Sequence, residues 1–352
     1  MPVRAIHIHH GLQAEADHWD RHCADVCSKL DVAYQCIHVD ADPGPGESPE
    51  DAARKARYQA LENELRSDEV LLTAHHQDDQ AETLLLQLMR GAGPAGLASM
   101  PVIKTFGAGH HARPMLGFSQ KLLRQYAEEH QLIWVDDPSN ADTSFDRNYI
   151  RKQVMPRLVE NWSNASEAIS HVAALQQDTL EIIDAMGATD LAAMSTQQRN
   201  SLSISKLKQL PEARQYNVLR YWINVSGYAR PRRNIMQEVI ESVLPAAEDA
   251  TPLVLWGSAE IRRYQDTLYI LPALNSHEVH HVYAWDGEQP LYLDTLNLEM
   301  RLEQSLGRGL HQDAVARRMT VRFRQGGEQL RPHGRRHTHS LKKLMQEAGI
   351  PP

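Results

Sequence analysis

The stretch HHQDDQAETLLLQLMRGAGPAGL, from His75 to Leu97, decides the fold. It follows a short apolar run from Val70 that is typical of a β-strand, and the apolar positions from Ala81 to Leu88 have the spacing of an amphipathic helix. In open α/β sheets, ligands bind at the carboxyl ends of the strands. The change from strand to helix at His75 therefore predicts a ligand site.

Three acidic residues stand in the first turn of this helix. Asp78 and Glu82 are four residues apart and Asp79 and Glu82 are three apart, so the carboxylates are expected to converge on one side. Such a cluster suits Mg²⁺, which prefers carboxylate and phosphate oxygens. The alternative is that Asp79 and Glu82 form a capping box and complement the helix dipole. Capping explains the acids but leaves the preceding histidines unexplained.

Strands and helices alternate on either side of this stretch. The predicted strands are Val3–His9, Ala33–Val39, Val70–His75 and Leu132–Val135. The predicted helices between them are Trp19–Leu30, Pro49–Arg66 and Gln120–His130, besides the helix that follows His75. This order predicts an α/β fold with a doubly wound parallel sheet.

The remainder of the chain is predicted to form smaller helical and α+β domains. Helical patterns run over Ser163–Met194, Leu202–Val225 and Arg233–Val243, and strand patterns over Leu253–Leu255, Ala259–Arg263 and Thr267–Ile270. The last stretch begins as a strand at Met319, turns at Gly326-Gly327 and enters a helix at Ser340. We expect domains at residues 1–165, 166–305 and 315–352.

Size and composition exclude several classes of protein. A chain of 352 residues predicts two or three domains, and its apolar runs fall short of the roughly 20 residues that cross a bilayer. The first residues lack the features of a signal peptide, and three cysteines favour a reducing compartment. We therefore expect a cytoplasmic protein. A zinc site formed by His18, His22, Cys23 and Cys27 is an alternative to simple packing of a helix on the sheet.

Histidines and arginines near the predicted strands are candidate ligand contacts. They are His7, His9 and His10 at the end of the first strand, and Arg54 and Arg57 one turn apart on a helix. The histidines could contact a nucleotide or be ordinary polar residues at a strand end. The arginines could hold a phosphate or only solvate the helix surface.

The charge is unevenly distributed. The formal net charge is −8, yet the segment from Arg322 to Lys343 contains seven basic residues and one acid, Glu328. The basic residues are Arg322, Arg324, Arg331, Arg335, Arg336, Lys342 and Lys343. This segment is either a solvated basic face or a surface for a polyanion such as RNA.

Five segments in order resemble one known family. They are HIHHGL, AARKARY, TAHHQDDQAETLLLQLMRGAGPAGLASM, ARPML and DDPSNADTSFDRNYIR. Together they resemble the catalytic domain of the tRNA(Ile)-lysidine synthetase family, in the PP-loop ATP pyrophosphatase superfamily. The resemblance is close from Val3 to about Arg157, and looser over Leu202–Val243 and RFRQGGEQLRP.

The resemblance implies an activity. Lysine would be ligated to the wobble cytidine of the CAU anticodon of tRNA(Ile), through an adenylated tRNA, with release of AMP and pyrophosphate. ATP and Mg²⁺ would be required, and free lysine and tRNA(Ile) would be the other partners. Homodimer formation is left open. The alternatives are a catalytically inactive tRNA-binding fragment, or another PP-loop tRNA-modifying enzyme such as a thiolase.

The resemblance also implies roles for individual residues. Asp78, Asp79 and Glu82 would be catalytic and would hold the metal, with His75 close to the nucleotide. Contacts with phosphates or RNA would come from Arg90, Arg147 and Arg151. The basic segment would bind tRNA through Arg322, Arg324, Arg335, Arg336, Lys342 and Lys343.

The sequence departs from the family at its start. Family members open with a strand and a phosphate-binding loop of the form S-G-G-x-D-S, and no such sequence occurs in this chain. The chain opens at what corresponds to the second strand, and its last helix also looks cut short. Since the first strand is central in a doubly wound sheet, we expect two unpaired inner edges and a split core. The chain as written is not expected to bind ATP tightly.

Overall fold

A computed structural model describes most of the chain. It describes all residues except 1, 12, 14, 45–48, 197, 199, 248–249, 251, 274–280, 294–295, 297, 306–318, 333, 349 and 351–352, and except the side chains of residues 49, 50 and 346. The chain forms two compact units, Met1–Ile182 and Ile183–Pro352. None of the described helices is long and apolar enough to cross a membrane.

The first unit alternates strands and helices in the predicted order as far as residue 89. Its strands are β1 (Arg4–His9), β2 (Ala33–His38), β3 (Val70–Leu72), β4 (Ile103–Phe106) and β5 (Gly109–Ala112). Its helices are α1 (Ala16–Lys29), α2 (Pro49–Glu64), α3 (Gln77–Met89), α4 (Pro94–Leu97), α5 (Gln120–Glu129), α6 (Asp146–Tyr149) and α7 (Met155–Asn161). A 3₁₀ turn spans Pro138–Ala141 and a π-helical turn spans Ile150–Val154. The long helix α8 (Ala165–Met194) runs from the first unit into the second.

The strands of the first unit form two separate sheets. β1 pairs with β2 in parallel, from Arg4 opposite Ala33 to His9 opposite His38. β5 lies between β3, to which it is parallel, and β4, to which it is antiparallel. Among the described residues, no ladder joins the two sheets. The α/β class and the parallel pairing are confirmed, and the sheet is divided as expected.

One predicted strand is wrong and one hairpin was missed. Leu132–Val135 has no regular secondary structure and pairs with no described strand, and Ile133 is 78% exposed. An apolar run becomes a strand only where a neighbouring strand satisfies its backbone groups. The hairpin β4–β5 has strands of only four residues. Its closeness to Glu69, whose carbonyl oxygen would lie 2.4 Å from a Cβ atom on Gly109, explains the glycine there.

The second unit contains the remaining described strands. They are β6 (Ser201–Ser203), β7 (Leu253–Trp256), β8 (Ala259–Tyr264), β9 (Thr267–Pro272), β10 (Val282–Trp285), β11 (Leu291–Leu293), β12 (Leu298–Met300), β13 (Met319–Arg322), β14 (Gln329–Leu330) and β15 (His339–Ser340). Its helices are α9 (Ile204–Lys208), α10 (Glu212–Val225), α11 (Arg233–Glu238), which continues as a π-helical turn over Val239–Val243, and α12 (Leu341–Glu347).

An antiparallel sheet of order β6-β9-β8-β7 forms the centre of the second unit. Its apolar side chains pack with α10 around Leu202, Leu219 and Ile261, which are fully buried. The predicted helical segment from Leu202 begins instead with strand β6, because Leu202 pairs with Leu268 of β9. Tertiary pairing here overrides a local pattern that is helical further on.

The end of the chain follows the predicted order. β13 begins at Met319, Gly326 and Gly327 both adopt positive φ at the turn, and α12 follows Ser340. Positive φ is the conformation in which glycine is favoured over other residues. The strand, the turn and the helix are therefore confirmed.

Candidate functional site

The first turn of α3 is capped by a histidine. His76 is the N-cap, and its Nδ1 accepts from the backbone N–H of Asp79 at 3.3 Å. Asp79 Oδ2 accepts in return from the backbone N–H of His76 at 3.0 Å. This is a capping box with His76 in the position that Ser or Thr usually occupies. The capping explanation is correct for Asp79, with His76 as its partner, and it does not extend to Glu82.

Glu82 is instead held by two arginines that arrive from α6 and the π-helical turn. Its carboxylate is 2% exposed and accepts from Arg147 Nε at 2.9 Å and from Arg151 Nε at 2.7 Å. Asp79 Oδ1 accepts from Nη2 of both arginines, at 3.2 and 3.3 Å. The hydrogen bond to Glu82 raises the pKa of Arg151. We call these four residues the arginine–carboxylate cluster.

Asp78 is turned away from this cluster. Its Oδ2 accepts from the backbone N–H of Gln120 at 2.7 Å, and its Oδ1 accepts from Ser166 Oγ at 2.8 Å. Asp78 therefore joins the start of α3 to the starts of α5 and α8. The predicted convergence of all three carboxylates is not observed, because backbone and hydroxyl donors on other elements hold Asp78.

The three acids do not fit a Mg²⁺ site in this arrangement. Both oxygens of Glu82 and Oδ1 of Asp79 accept from guanidinium groups, and those positive charges would repel a cation beside them. Within the described ranges, no group of three His, Cys, Asp or Glu residues is placed to hold a metal ion. The zinc alternative is therefore not supported. Cys27 is buried and Cys23 half-buried on α1, which packs on β1 and β2.

A chain of hydrogen bonds runs inward from His75. Thr73 Oγ1 lies 2.7 Å from His75 Nδ1 and 2.8 Å from His111 Nε2. His111 Nδ1 lies 3.2 Å from Arg113 Nη2, and Arg113 Nη1 donates to the carbonyl oxygen of Pro101 at 2.8 Å. Burial lowers the pKa of both His75 and His111 to about 4. We call Thr73, His75, His111 and Arg113 the His75 chain.

Arginines surround the outer end of this chain. After burial and Asp79, the charges that act on the pKa of His75 are those of Arg113, Arg147 and Arg54, all of which lower it. The guanidinium of Arg54 lies 5.1 Å from the ring centroid of Tyr58 on the same helix. The structure thus brings Arg54 from α2 and Arg147 from α6 towards His75, at the carboxyl end of β3. This local excess of positive charge suits an anion such as a phosphate.

The other candidate contacts are placed differently. His7 and His9 on β1 face α1, where His9 Nε2 lies 3.1 Å from Asp17 Oδ1 and Asp20 acts on His7. Burial, and then Arg57, lowers the pKa of His10, so His10 lies on the side of α2.

Arg90 is exposed at the far end of α3 from the cluster. A helix of 13 residues is about 20 Å long, so Arg90 does not join the arginine–carboxylate cluster.

A separate cavity of about 480 Å³ lies between the start of α3, residues 98–102 and α8. Its walls are largely apolar, with Met100 and Leu116 on one side and Ala173 and Ala174 on the other. Two acidic residues of α8, Glu167 and Asp178, also line it.

The basic segment near the end of the chain is exposed. All seven of its arginines and lysines are exposed side chains. Its one acid, Glu328, accepts from the backbone N–H groups of Gln325 and Gly326, so that carboxylate holds the turn. Arg335 pairs with Glu347 at 2.6 Å. The segment therefore keeps a net positive surface.

Sequence reasoning missed Thr73, His111 and Arg113 as members of the site. The available signal was the segment ARPML together with the two histidines before it, since a charged residue after a short strand is a candidate for a strand-end site. The structure identifies them by burial, because Arg113 is 4% exposed and His111 is 0% exposed.

Family models match three parts of the chain. A PP-loop domain matches residues 1–158, a TilS substrate binding domain matches residues 202–269, and a TilS substrate C-terminal domain matches residues 319–352. The tRNA(Ile)-lysidine synthase of Methylococcus capsulatus is 42% identical over 99% of this chain and 80% of its own length. The chain belongs to the tRNA(Ile)-lysidine synthase family.

Other members show the same extent of similarity. The tRNA(Ile)-lysidine synthases of Coxiella burnetii and Edwardsiella ictaluri are each 40% identical over 99% of this chain, covering 77% and 79% of their own lengths. A solved structure of the U34-tRNA thiolase NcsA from Methanococcus maripaludis has a TM-score of 0.42 at 15% identity, over 50% of this chain and 62% of that one. That likeness is too low to bear on function.

Proposed function

We propose that this chain ligates lysine to the wobble cytidine of the CAU anticodon of tRNA(Ile), using ATP and forming lysidine. The observation that carries the proposal is the match to proteins of this name along nearly the whole chain, at about 40% identity. The PP-loop match supports the use of ATP. A tRNA substrate implies that the protein acts in the cytoplasm.

The proposed reaction has two steps. The carbonyl oxygen of the cytosine attacks the α-phosphorus of ATP and pyrophosphate leaves, which turns a poor leaving oxygen into a good one. The lysine amine then attacks the ring carbon that bears this oxygen and loses a proton. AMP leaves with the oxygen. Both steps develop negative charge on phosphate groups, so fixed cations would stabilise them.

The geometry supports specific roles for the arginines. Arg147 and Arg151 are oriented by Asp79 and Glu82, and a guanidinium held at fixed orientation binds phosphate oxygens with little loss of entropy. Arg54 is exposed and close enough to influence His75. We assign the phosphate contacts to these arginines, with His75 as a neutral contact between them. We do not propose Asp78, Asp79 or Glu82 as ligands of Mg²⁺.

Contacts with tRNA and with free lysine are assigned to other regions of the protein. We assign catalysis to residues 1–165, substrate and tRNA contacts to residues 166–305 and further tRNA contacts to residues 315–352. The exposed basic segment supports this last role, because lysine and arginine contacts with phosphates supply a salt-dependent part of RNA affinity. The cavity beside α8 is the candidate site for free lysine, since its apolar walls suit the aliphatic stem and Glu167 or Asp178 the ammonium group.

The test is incorporation of radiolabelled lysine into an unmodified tRNA(Ile) transcript, with this chain and with a form extended upstream in its reading frame. A transcript in which uridine replaces the wobble cytidine is the control. Incorporation that depends on ATP and on this cytidine is the expected result. Binding of tRNA without incorporation by either form would refute the ligase proposal and favour an inactive tRNA-binding protein. Titration calorimetry with ATP on both forms would show whether nucleotide binding or a later step fails.

A further inference from the structure

Donor and acceptor roles can be assigned along the His75 chain, because only some of its atoms can donate. We propose that Thr73 is a positioning residue that fixes His75 in the tautomer with its proton on Nε2, in a direction set by Arg113 through His111. The importance of His75 rests on the proposed function, but the tautomer follows from the hydrogen bonds alone.

The direction in which protons are donated along the His75 chain is set at its inner end, by Arg113. A guanidinium has donors and no acceptor, and it does not lose its proton in proteins. Since Arg113 Nη2 lies 3.2 Å from His111 Nδ1, that nitrogen must be the acceptor. His111 is therefore neutral and carries its proton on Nε2. Its complete burial and the low pKa that burial causes agree with a neutral ring.

The Thr73 hydroxyl links the protonation of His111 to that of His75. His111 Nε2 donates to Thr73 Oγ1 at 2.8 Å. A hydroxyl has one proton, and the Thr73 oxygen lies 2.7 Å from His75 Nδ1. Among the described residues, the Thr73 hydroxyl has no hydrogen-bond partner besides the two imidazoles, so it donates its proton to this nitrogen and His75 Nδ1 is an acceptor. A neutral His75 then carries its own proton on Nε2.

Arg113 is held in place by neutral partners, since Pro101 accepts from its Nη1 and Tyr58 also interacts with its guanidinium. It is 4% exposed, no carboxylate is paired with it in the described part of the chain, and its Nε atom has no hydrogen-bond partner there. Burying an arginine without a paired carboxylate costs free energy. Fixing the proton of His75 at a distance is a function that its contacts with His111 and Pro101 allow.

The consequence for catalysis is specific. His75 presents a neutral N–H donor beside the arginines, which can hydrogen-bond a phosphate or a base oxygen. The same Nε2 cannot accept the proton that the lysine amine loses. His75 is therefore a donor to the substrate and not the general base of the second step.

The test is a two-bond ¹H–¹⁵N spectrum of the full chain labelled with ¹⁵N-histidine, which distinguishes the two ring nitrogens of each histidine. The His75 signals are assigned by their loss in His75→Gln. Wild type and Thr73→Ser should show His75 as the Nε2–H tautomer. Thr73→Val, which has the same shape without the hydroxyl, should show a mixture of tautomers. Unchanged signals from the histidines other than His75 and His111 would establish that the variant is folded.

Two results would overturn the inference. One is a wild-type His75 protonated on Nδ1, and the other is a Thr73→Val spectrum in which the His75 tautomer is unchanged. In the incorporation assay, Thr73→Val should lose on the order of tenfold or more in rate, as when the partner that orients a functional histidine is removed, and Thr73→Ser should retain most of its rate.

The spectra require neither ATP nor tRNA, so they separate this inference from the proposed function. An Nε2–H tautomer without any lysine incorporation would leave the inference intact and refute the ligase. Lysine incorporation with an Nδ1–H tautomer would do the reverse.

Discussion

The two units of the chain bury different kinds of side chain. Among the largest fully buried side chains, the first unit contributes His111 and Glu82, whereas the second contributes mainly aliphatic residues, among them Leu202, Leu219 and Ile223. The main apolar cluster of the second unit has sixteen buried members among the described residues, and the cluster around Ala81 in the first unit has three. The second unit is organised for stability, and the first places polar groups where apolar ones would be more stable.

This difference has a physical cause. Buried ionisable groups keep their charge or their tautomer only when hydrogen-bond partners surround them, and each partner excludes an apolar contact. The arginine–carboxylate cluster and the His75 chain both occupy interior volume of the first unit. They give a precise arrangement of donors at some expense in stability.

The largest effect is expected from Glu82→Gln in the arginine–carboxylate cluster. Removing the buried carboxylate leaves Arg147 and Arg151 with Asp79 as the one carboxylate of the cluster, which should destabilise the first unit by about 3 kcal/mol. Hydrogen exchange measured by mass spectrometry should show faster exchange in α3 and no change in β8. Lysine incorporation should fall with it.

The matched control for this substitution is Glu160→Gln, an exposed glutamate on α7. It should leave both the exchange rates and the incorporation unchanged. Slow exchange in α3 of the Glu82→Gln variant would show that the cluster does not stabilise this unit.

A smaller and purely structural effect is expected in the second unit. Leu219→Ala creates a cavity in a fully buried position of α10 and should destabilise that unit by roughly 2–3 kcal/mol. Exchange in β8 and β9 should accelerate while α3 is unaffected. Val225→Ala, 52% exposed on the same helix, is the control and should change the stability by less than about 0.5 kcal/mol. Equal effects from the two substitutions would contradict the assignment of the core to this cluster.

The smallest effect expected is a pH dependence of stability that arises from the buried His111 of the first unit. Burial holds the pKa of His111 at about 4, below the ordinary value of 6.5 that applies to the unfolded chain. Between these values the unfolded chain binds a proton that the folded chain does not, so stability is lost as pH falls from 6.5 towards 4. Between pH 7 and pH 5, the loss attributable to His111 should be on the order of 1–2 kcal/mol.

Thermal unfolding at pH 7 and pH 5 measures this loss. His111→Gln removes the titrating group, so its midpoint should fall less than that of the wild type between the two pH values, even if the variant is less stable throughout. Parallel decreases would mean that His111 is not a source of the pH dependence. His22→Gln, which changes a partly buried histidine on α1, serves as the comparison.

The sequence predicted most of the secondary structure but not the destinations of its polar side chains. Helices α1, α2, α3 and α5 lie close to their predicted positions, because their periodic apolar residues and end signals are local. The strand at Leu132–Val135 was wrong because pairing depends on a neighbour that the local pattern does not contain. The convergence of Asp78 with Glu82 was wrong for the same reason, since Gln120 and Ser166 are distant in sequence.

By itself, the sequence determined the α/β alternation and the family, and it predicts a ligand site at the end of β3, because each of these depends on residue types at short spacing. Only the tertiary structure decided that Glu82 holds two arginines, that Asp78 joins helix starts, and that Arg113 reaches His75 through His111. These contacts join residues up to 88 positions apart. Which donor meets which acceptor depends on how the elements pack, and packing is a property of the whole chain and not of any short segment.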